Sequence, residues 1–121
     1  MSPLDPALLL WFEGKSRAYF GLKQYDQAIE WARRSIAINP NYEPIAHADL
    51  VAALALSGRE AEAREALQSY LALPISGKLR TIAAWKAFYD ACVDKHHRDS
   101  RVLDSYDKAI EGLRNAGMPE E

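Results

Sequence analysis

Apolar residues recur at helical spacing along this chain. The first stripe is Leu8, Leu9, Phe12, Ser16, Tyr19 and Phe20, behind an Asp5-Pro6 pair that suits an N-cap followed by a first-turn proline. It predicts a helix from about Pro6 to Gly21. A second helix, about Gln24 to Asn39, turns Ala28, Ile29, Ala32, Ile36 and Ile38 inward and stops at Asn39-Pro40-Asn41, because proline cannot extend the hydrogen-bond ladder. A third is expected from about Pro44 to Ser57, with Gly58 as its permissive exit, and its partner from about Arg59 to Leu73. Beyond Pro74, the spacing of Leu79, Ile82, Trp85, Tyr89 and Cys92 predicts a fifth helix, and that of Val102, Leu103, Tyr106, Ile110 and Leu113 a sixth. Asp94 to Asp99, the most polar stretch of this half, reads as the loop between them, with Asp99 or Ser100 capping the last helix. Asn115 to Pro119 ends it, and the fold class is all-α.

Part of the pattern occurs twice. Ala18-Tyr19-Phe20, Tyr25 to Glu30 and Ser35 to Asn41 return in weaker form as Leu54-Ala55-Leu56, Glu60 to Glu65 and Tyr70 to Pro74. Ala28 and Ala63 are 35 residues apart and Pro40 and Pro74 are 34 apart, a period of one helix, a tight turn, a second helix and a proline-marked exit.

The segment Ala18 to Asn41 resembles a tetratricopeptide repeat. Phe12 stands where that family usually has Trp, Ser16 at the small position, Tyr19 at the aromatic one, Ala28 at the close-approach alanine, Ser35 at a second small position and Pro40 at the terminal proline. Leu50, Leu54, Gly58, Ala63, Leu67 and Leu71 match in the second repeat. Lys15 departs from the usual leucine, Ala32 from a larger aromatic, His47 from the usual Trp and Tyr70 from a small residue. The resemblance implies a right-handed stack of about six helices in hairpins, with repeat one at about 6–41, repeat two at about 44–74, and a degenerate third hairpin or solubilising cap at about 78–116. It also implies that the first helix of each pair lines a concave groove, so that Glu13, Arg17 and Phe20 face Ala48, Ala52 and Ala55. Repeats that grip a C-terminal carboxylate carry Lys and Asn at such places. An apolar floor beside one Arg suits instead a hydrophobic helix of a partner or of the same protein, unless the chain's own last helices fill the groove.

Ile110 to Pro119, following the Gly58 to Ala63 type of repeat, is similar to the C-terminal tails of bacterial class III adenylate or guanylate cyclases that carry these repeats behind their catalytic domain. That resemblance implies a fragment of a bacterial signalling enzyme. Two repeats are fewer than the three or so that bury a continuous core. Leu103, Tyr106, Ile110 and Leu113 are therefore the candidate stripe for capping the array in cis or for pairing with a second copy.

Composition narrows the remaining choices. With 121 residues, 49% apolar and 26% charged, the chain suffices for one globular domain. Fifteen Lys+Arg against 17 Asp+Glu give a net charge of −2, which points away from nucleic acid. A single cysteine, Cys92, excludes an internal disulfide and suits a reducing, cytoplasmic setting. The uncharged run Leu50 to Gly58 is too short for membrane insertion, and Met1 to Trp11 lacks the basic start of a signal peptide.

No catalytic, cofactor or metal site is expected. Gly14, Gly21, Gly58, Gly77, Gly112 and Gly117 never cluster into a phosphate-cradling loop, and no serine sits in a nucleophile elbow. His96-His97 with Cys92 and Asp94 or Asp99 form the only constellation of metal-like ligands, yet adjacent histidines diverge on a helix and Cys92 completes its own apolar stripe. His47 reads as a packing residue, Trp11, Trp31 and Trp85 as core, and Arg33-Arg34 and Arg98 to Arg101 as solvated surface. The function expected is a non-catalytic protein-interaction module. Two settings suit it: a regulatory or dimerising scaffold of a signalling enzyme such as a nucleotide cyclase, bound to itself or to a catalytic domain, and a free-standing peptide-binding adaptor.

Overall fold

Every one of those apolar stripes forms a helix. The computed structural model describes residues 6–95 and 100–121, with the side chains of Leu8 and of residues 11–92 and 100–121. Its elements are α1 (Pro6–Gly21), α2 (Tyr25–Ile38), α3 (Ile45–Leu56), α4 (Glu60–Leu71), a 3₁₀ turn (Pro74–Ser76), α5 (Ile82–Lys95) and α6 (Ser100–Asn115). The chain is all-helical, with no strand among the described residues.

Three helices stop in the same way. The N–H groups of Gln24, Arg59 and Met118 donate back to the carbonyls of Tyr19 (2.9 Å), Leu54 (2.9 Å) and Leu113 (3.1 Å). Each bond closes around one left-handed residue, Lys23 (φ 60°), Gly58 (φ 83°) or Gly117 (φ 103°). At the start of α3, a Glu43 carboxylate oxygen accepts the Ala46 N–H at 3.0 Å.

Small residues let the helices touch. Ala28 and Ala32 are fully buried in the α1–α2 hairpin, where the Ser16 hydroxyl donates to the Ala28 carbonyl at 3.1 Å. Ala63 and Leu67 play the same part between α3 and α4. The centre of the molecule is α3, which contacts α1, α2, α4 and α6. Every residue from Ala46 to Ala55 is buried, so this helix is apolar on all its faces rather than along one stripe.

The last helix lies mainly on α3 and touches its hairpin partner α5 and α1 as well. Gly112 makes that possible. A Cβ there would stand 2.6 Å from the Ala52 Cα, so the two backbones are in direct contact. Ala109, Ile110, Leu113 and Ala116 are buried in the same interface. The chain beyond α6 closes the other side: the Pro119 and Glu120 carbonyls accept the N–H groups of Ile82 (2.8 Å) and Ala83 (3.0 Å). These are donors that the first turn of α5 cannot satisfy itself.

Some expectations change. Leu79 precedes α5, and its carbonyl accepts the Tyr70 hydroxyl (2.6 Å) and the Trp85 Nε1–H (3.2 Å). Asp94 and Lys95 belong to α5, so the loop starts later than their polarity implied. Trp85 is fully buried, but Trp31 is only partly covered and Trp11 is 59% exposed. Trp11 stays out because it stands on a face of α1 that its neighbours leave uncovered. The Asp5 cap, His96-His97 and the Asp99 cap lie outside the described residues.

Candidate functional site

Of the six expected groove residues, Phe20, Ala48, Ala52 and Ala55 belong to one buried core, on which α6 packs at Ala52. Phe20 and the three alanines Ala48, Ala52 and Ala55 are buried, Arg17 and Glu13 are partly buried, and Gly112 rests on Ala52. What was the floor of a groove is the α1–α3–α6 interior.

Arg17 is the hub of this interior. One guanidinium nitrogen pairs with Oδ1 of Asp49 on α3, and the other donates to the Ser105 hydroxyl on α6 at 2.8 Å. Its flat group stands 5.2 Å from the Phe20 ring centre and 5.6 Å from that of Tyr106. Tyr106 in turn stacks on Tyr89 of α5, with ring centres 4.5 Å apart. One side chain thus ties α1 to α3 and α6, with α5 behind.

Carboxyl groups surround Arg17. Asp49 has no exposed surface, and burial pushes its carboxyl up to about 6 although Arg17 pulls the other way. Glu13 is raised to about 7, first by burial and then by the charge of Glu43. Glu43 is raised by burial too, against the N–H groups of Ala46 and Ile45 that favour its ionised form. Two buried oxygens, Oδ2 of Asp49 and the Tyr89 hydroxyl, have no hydrogen-bond partner among the described residues. Burial holds the Tyr89 phenol well above its usual range.

Neither Asp49, Glu43 nor Tyr89 was a site candidate from sequence. The available signal was Asp49 itself, the one acidic residue within Ile45–Leu56. A charge at the centre of a helix buried on every side must be paired.

The remaining polar candidates are structural. His47 places Nε2 2.7 Å from the Pro40 carbonyl and its ring 5.4 Å from Tyr70, and burial lowers its pKa, which leaves a neutral ring donating to that carbonyl. Lys15, the departure from leucine, sets its ammonium 4.8 Å from the ring centres of both Trp11 and Trp31. Arg33 and Arg34 pair with Glu62 and Glu30 at the surface. Cys92 is a free thiol, partly buried. Among the described residues no cluster of His, Cys, Asp and Glu is arranged to hold a metal ion, and no helix is long and apolar enough to cross a membrane.

The C-terminal stripe divides. Leu113 and Ile110 are core, Tyr106 is partly covered by its stack, and Leu103 is 39% exposed. Outside the core, a cleft of about 560 Å³ lies between α1 and α6, lined by Gly14, Arg17, Ala18, Gly21, Leu22 and Val102 among others. Trp11 and Leu22 (66% exposed) are the most exposed large apolar side chains among the described residues, Trp11 on α1 and Leu22 in the turn just after it.

A tetratricopeptide repeat family model matches residues 12–42, the α1–α2 hairpin and its exit. Repeats of that family mediate protein–protein interaction. No curated protein and no solved structure matches the chain.

Proposed function

We propose that this chain is a non-catalytic interaction module that pairs two copies of itself through the outer face of α1, and so acts in the cytoplasm as a dimerising or regulatory scaffold of a signalling enzyme. The observation that carries the reading is an uncovered apolar face with no internal purpose. Trp11, Gly14, Ala18 and Gly21 are all exposed and fall on one side of α1, with the exposed Leu22 in the turn just after it. A glycine inside a helix costs about 0.5–1 kcal/mol relative to alanine. Yet no atom of the described residues lies within 4 Å of where a Gly14 Cβ would stand, so none of them requires it. Close approach by a second helix does.

The face fits its own copy. Laid antiparallel, Trp11 of one α1 meets Leu22 of the other and Gly14 meets Ala18, the reciprocal pairing that a two-fold interface demands. None of these five residues is charged, so the copies do not repel there. The likeness of Ile110 to Pro119 to cyclase tails supports a nucleotide cyclase as the parent enzyme, since a scaffold that pairs suits a catalyst that works as a pair. The adaptor reading has less support, because α6 would have to vacate the alanine floor.

Light scattering over a concentration series tests the pairing. The wild-type chain is expected to be a dimer, and Ala18→Glu a monomer with unchanged helical content and a melting temperature that no longer rises with concentration. A wild-type monomer at every concentration refutes it. A reading frame that runs from a cyclase domain into this chain tests the parent.

A further inference from the structure

We propose that Trp11, Lys15, Trp31 and Arg34 form one docking row across α1 and α2 for an acidic peptide segment of a partner, with Lys15 as the group that answers its carboxylate. The row does not rest on the pairing of copies. It shares Trp11 with the pairing face, so an occupied row and a paired α1 exclude one another.

Cations and indoles alternate along it. The Lys15 ammonium stands 4.8 Å from the ring centres of both Trp11 and Trp31, the Arg34 guanidinium 4.6 Å from that of Trp31, and Phe12 backs Trp31 at 5.5 Å between ring centres. The rings give the Lys15 side chain a packing role, but its charge is unanswered: no carboxylate pairs with it among the described residues. Glu30, the acid beside the row, is bound to Arg34 at 2.7 Å, and Arg33 turns to Glu62 on α4. Asp26 shares a cleft with Arg33 and Arg59, and Glu13, two residues from Lys15, points to another side of α1. One positive charge is therefore in surplus among the described residues of this face, on a chain of net charge −2.

What the row offers outward is donors and ring faces. Neither indole N–H has an acceptor among the described residues, and the ammonium adds donors of its own. Carboxylates supply both the acceptors and the opposite charge, and an apolar neighbour in the same peptide covers Trp11, which is 59% exposed. An ion pair formed beside two indoles is partly shielded from water, which strengthens it over an open surface pair. A nucleic acid suits the row less, since its phosphate chain draws on many cations at once. An anionic bilayer suits it less too, because Trp31 is only partly exposed and the headgroups would meet Glu30.

The full chain is titrated with a capped peptide of glutamates around one leucine, followed by indole fluorescence and backbone amide NMR shifts, while light scattering of the same samples reports pairing separately. Saturable binding is expected, with the largest shifts at Trp11, Lys15, Trp31 and Arg34 and little at the buried Trp85. Lys15→Leu, which places there the residue that the repeat resemblance expects, should weaken binding roughly tenfold, the loss of one charge-assisted hydrogen bond. Lys15→Arg should keep most of the affinity, and Lys78→Leu, the same charge removed from an exposed turn, should change nothing. Arg34→Gln, at an exposed side chain, serves as the second variant should Lys15→Leu not fold. No saturable binding, equal affinity in Lys15→Leu and Lys78→Leu, or equal or tighter binding of oligothymidine or of phosphatidylglycerol vesicles overturns the proposal.

Discussion

Lys23 holds a left-handed backbone (φ 60°) where Gly58 and Gly117 hold the equivalent places after α3 and α6. A side chain there crowds its own carbonyl, and its exposed ion pair with Asp104, at 3.5 Å, returns little. Lys23→Gly is expected to raise stability by about 0.5–1 kcal/mol in urea melts. Gly112 is the opposite case: Gly112→Ala would drive a Cβ into the Ala52 backbone at 2.6 Å, and should cost about 3 kcal/mol or more by the same measurement. Arg17→Met would strand the fully buried Asp49 without its partner, and a loss of about 3–5 kcal/mol is expected. The double variant Arg17→Met, Asp49→Leu should recover much of that loss, since it also removes the uncompensated charge.

Helices, rather than single residues, explain why α6 is part of the core. Its buried side, Ala109, Ile110 and Leu113, lies on an α3 that is apolar on every face. Deleting the chain from Ser100 onward uncovers Ala48, Ala52 and Ala55 and removes the acceptors of the α5 first turn, so the remainder should aggregate, as followed by light scattering. Ile110→Asp buries a charge at a position only 7% exposed, and is therefore expected to unfold the chain rather than to report on association.

Stability against pH sums the buried carboxyls. Glu13 and Asp49 titrate in the fold at about 7 and about 6, above their ordinary 4.5 and 3.8. The folded state thus binds these protons more tightly, so their stabilisation is complete below the ordinary values and is lost as pH rises through the folded ones. His47, lowered from 6.5, acts in the other direction and weakens the fold as pH falls below that value. Between pH 6.5 and 8 the carboxyls act alone, and the melting temperature should fall across that window in calorimetry. A flat profile there would contradict the raised Glu13. The six helices were legible from sequence because helical spacing and stop signals are local: α1 runs from Pro6 to Gly21 as expected, α2 and α3 are each two residues shorter than their expected spans, and α4 is three shorter. Ala28 and Ala63 likewise carry their meaning in the 35-residue interval between them. Where α6 would lie was not legible, because its stripe fits a hairpin partner, a groove or a second copy equally well. Gly112 against Ala52 chose among these, a contact between residues 60 apart that no local pattern encodes. The cluster round Arg17 is of the same kind: Glu13, Glu43, Asp49, Tyr89 and Ser105 come from five separate segments, and burial, which gives them their shifted protons, exists only once those segments have packed.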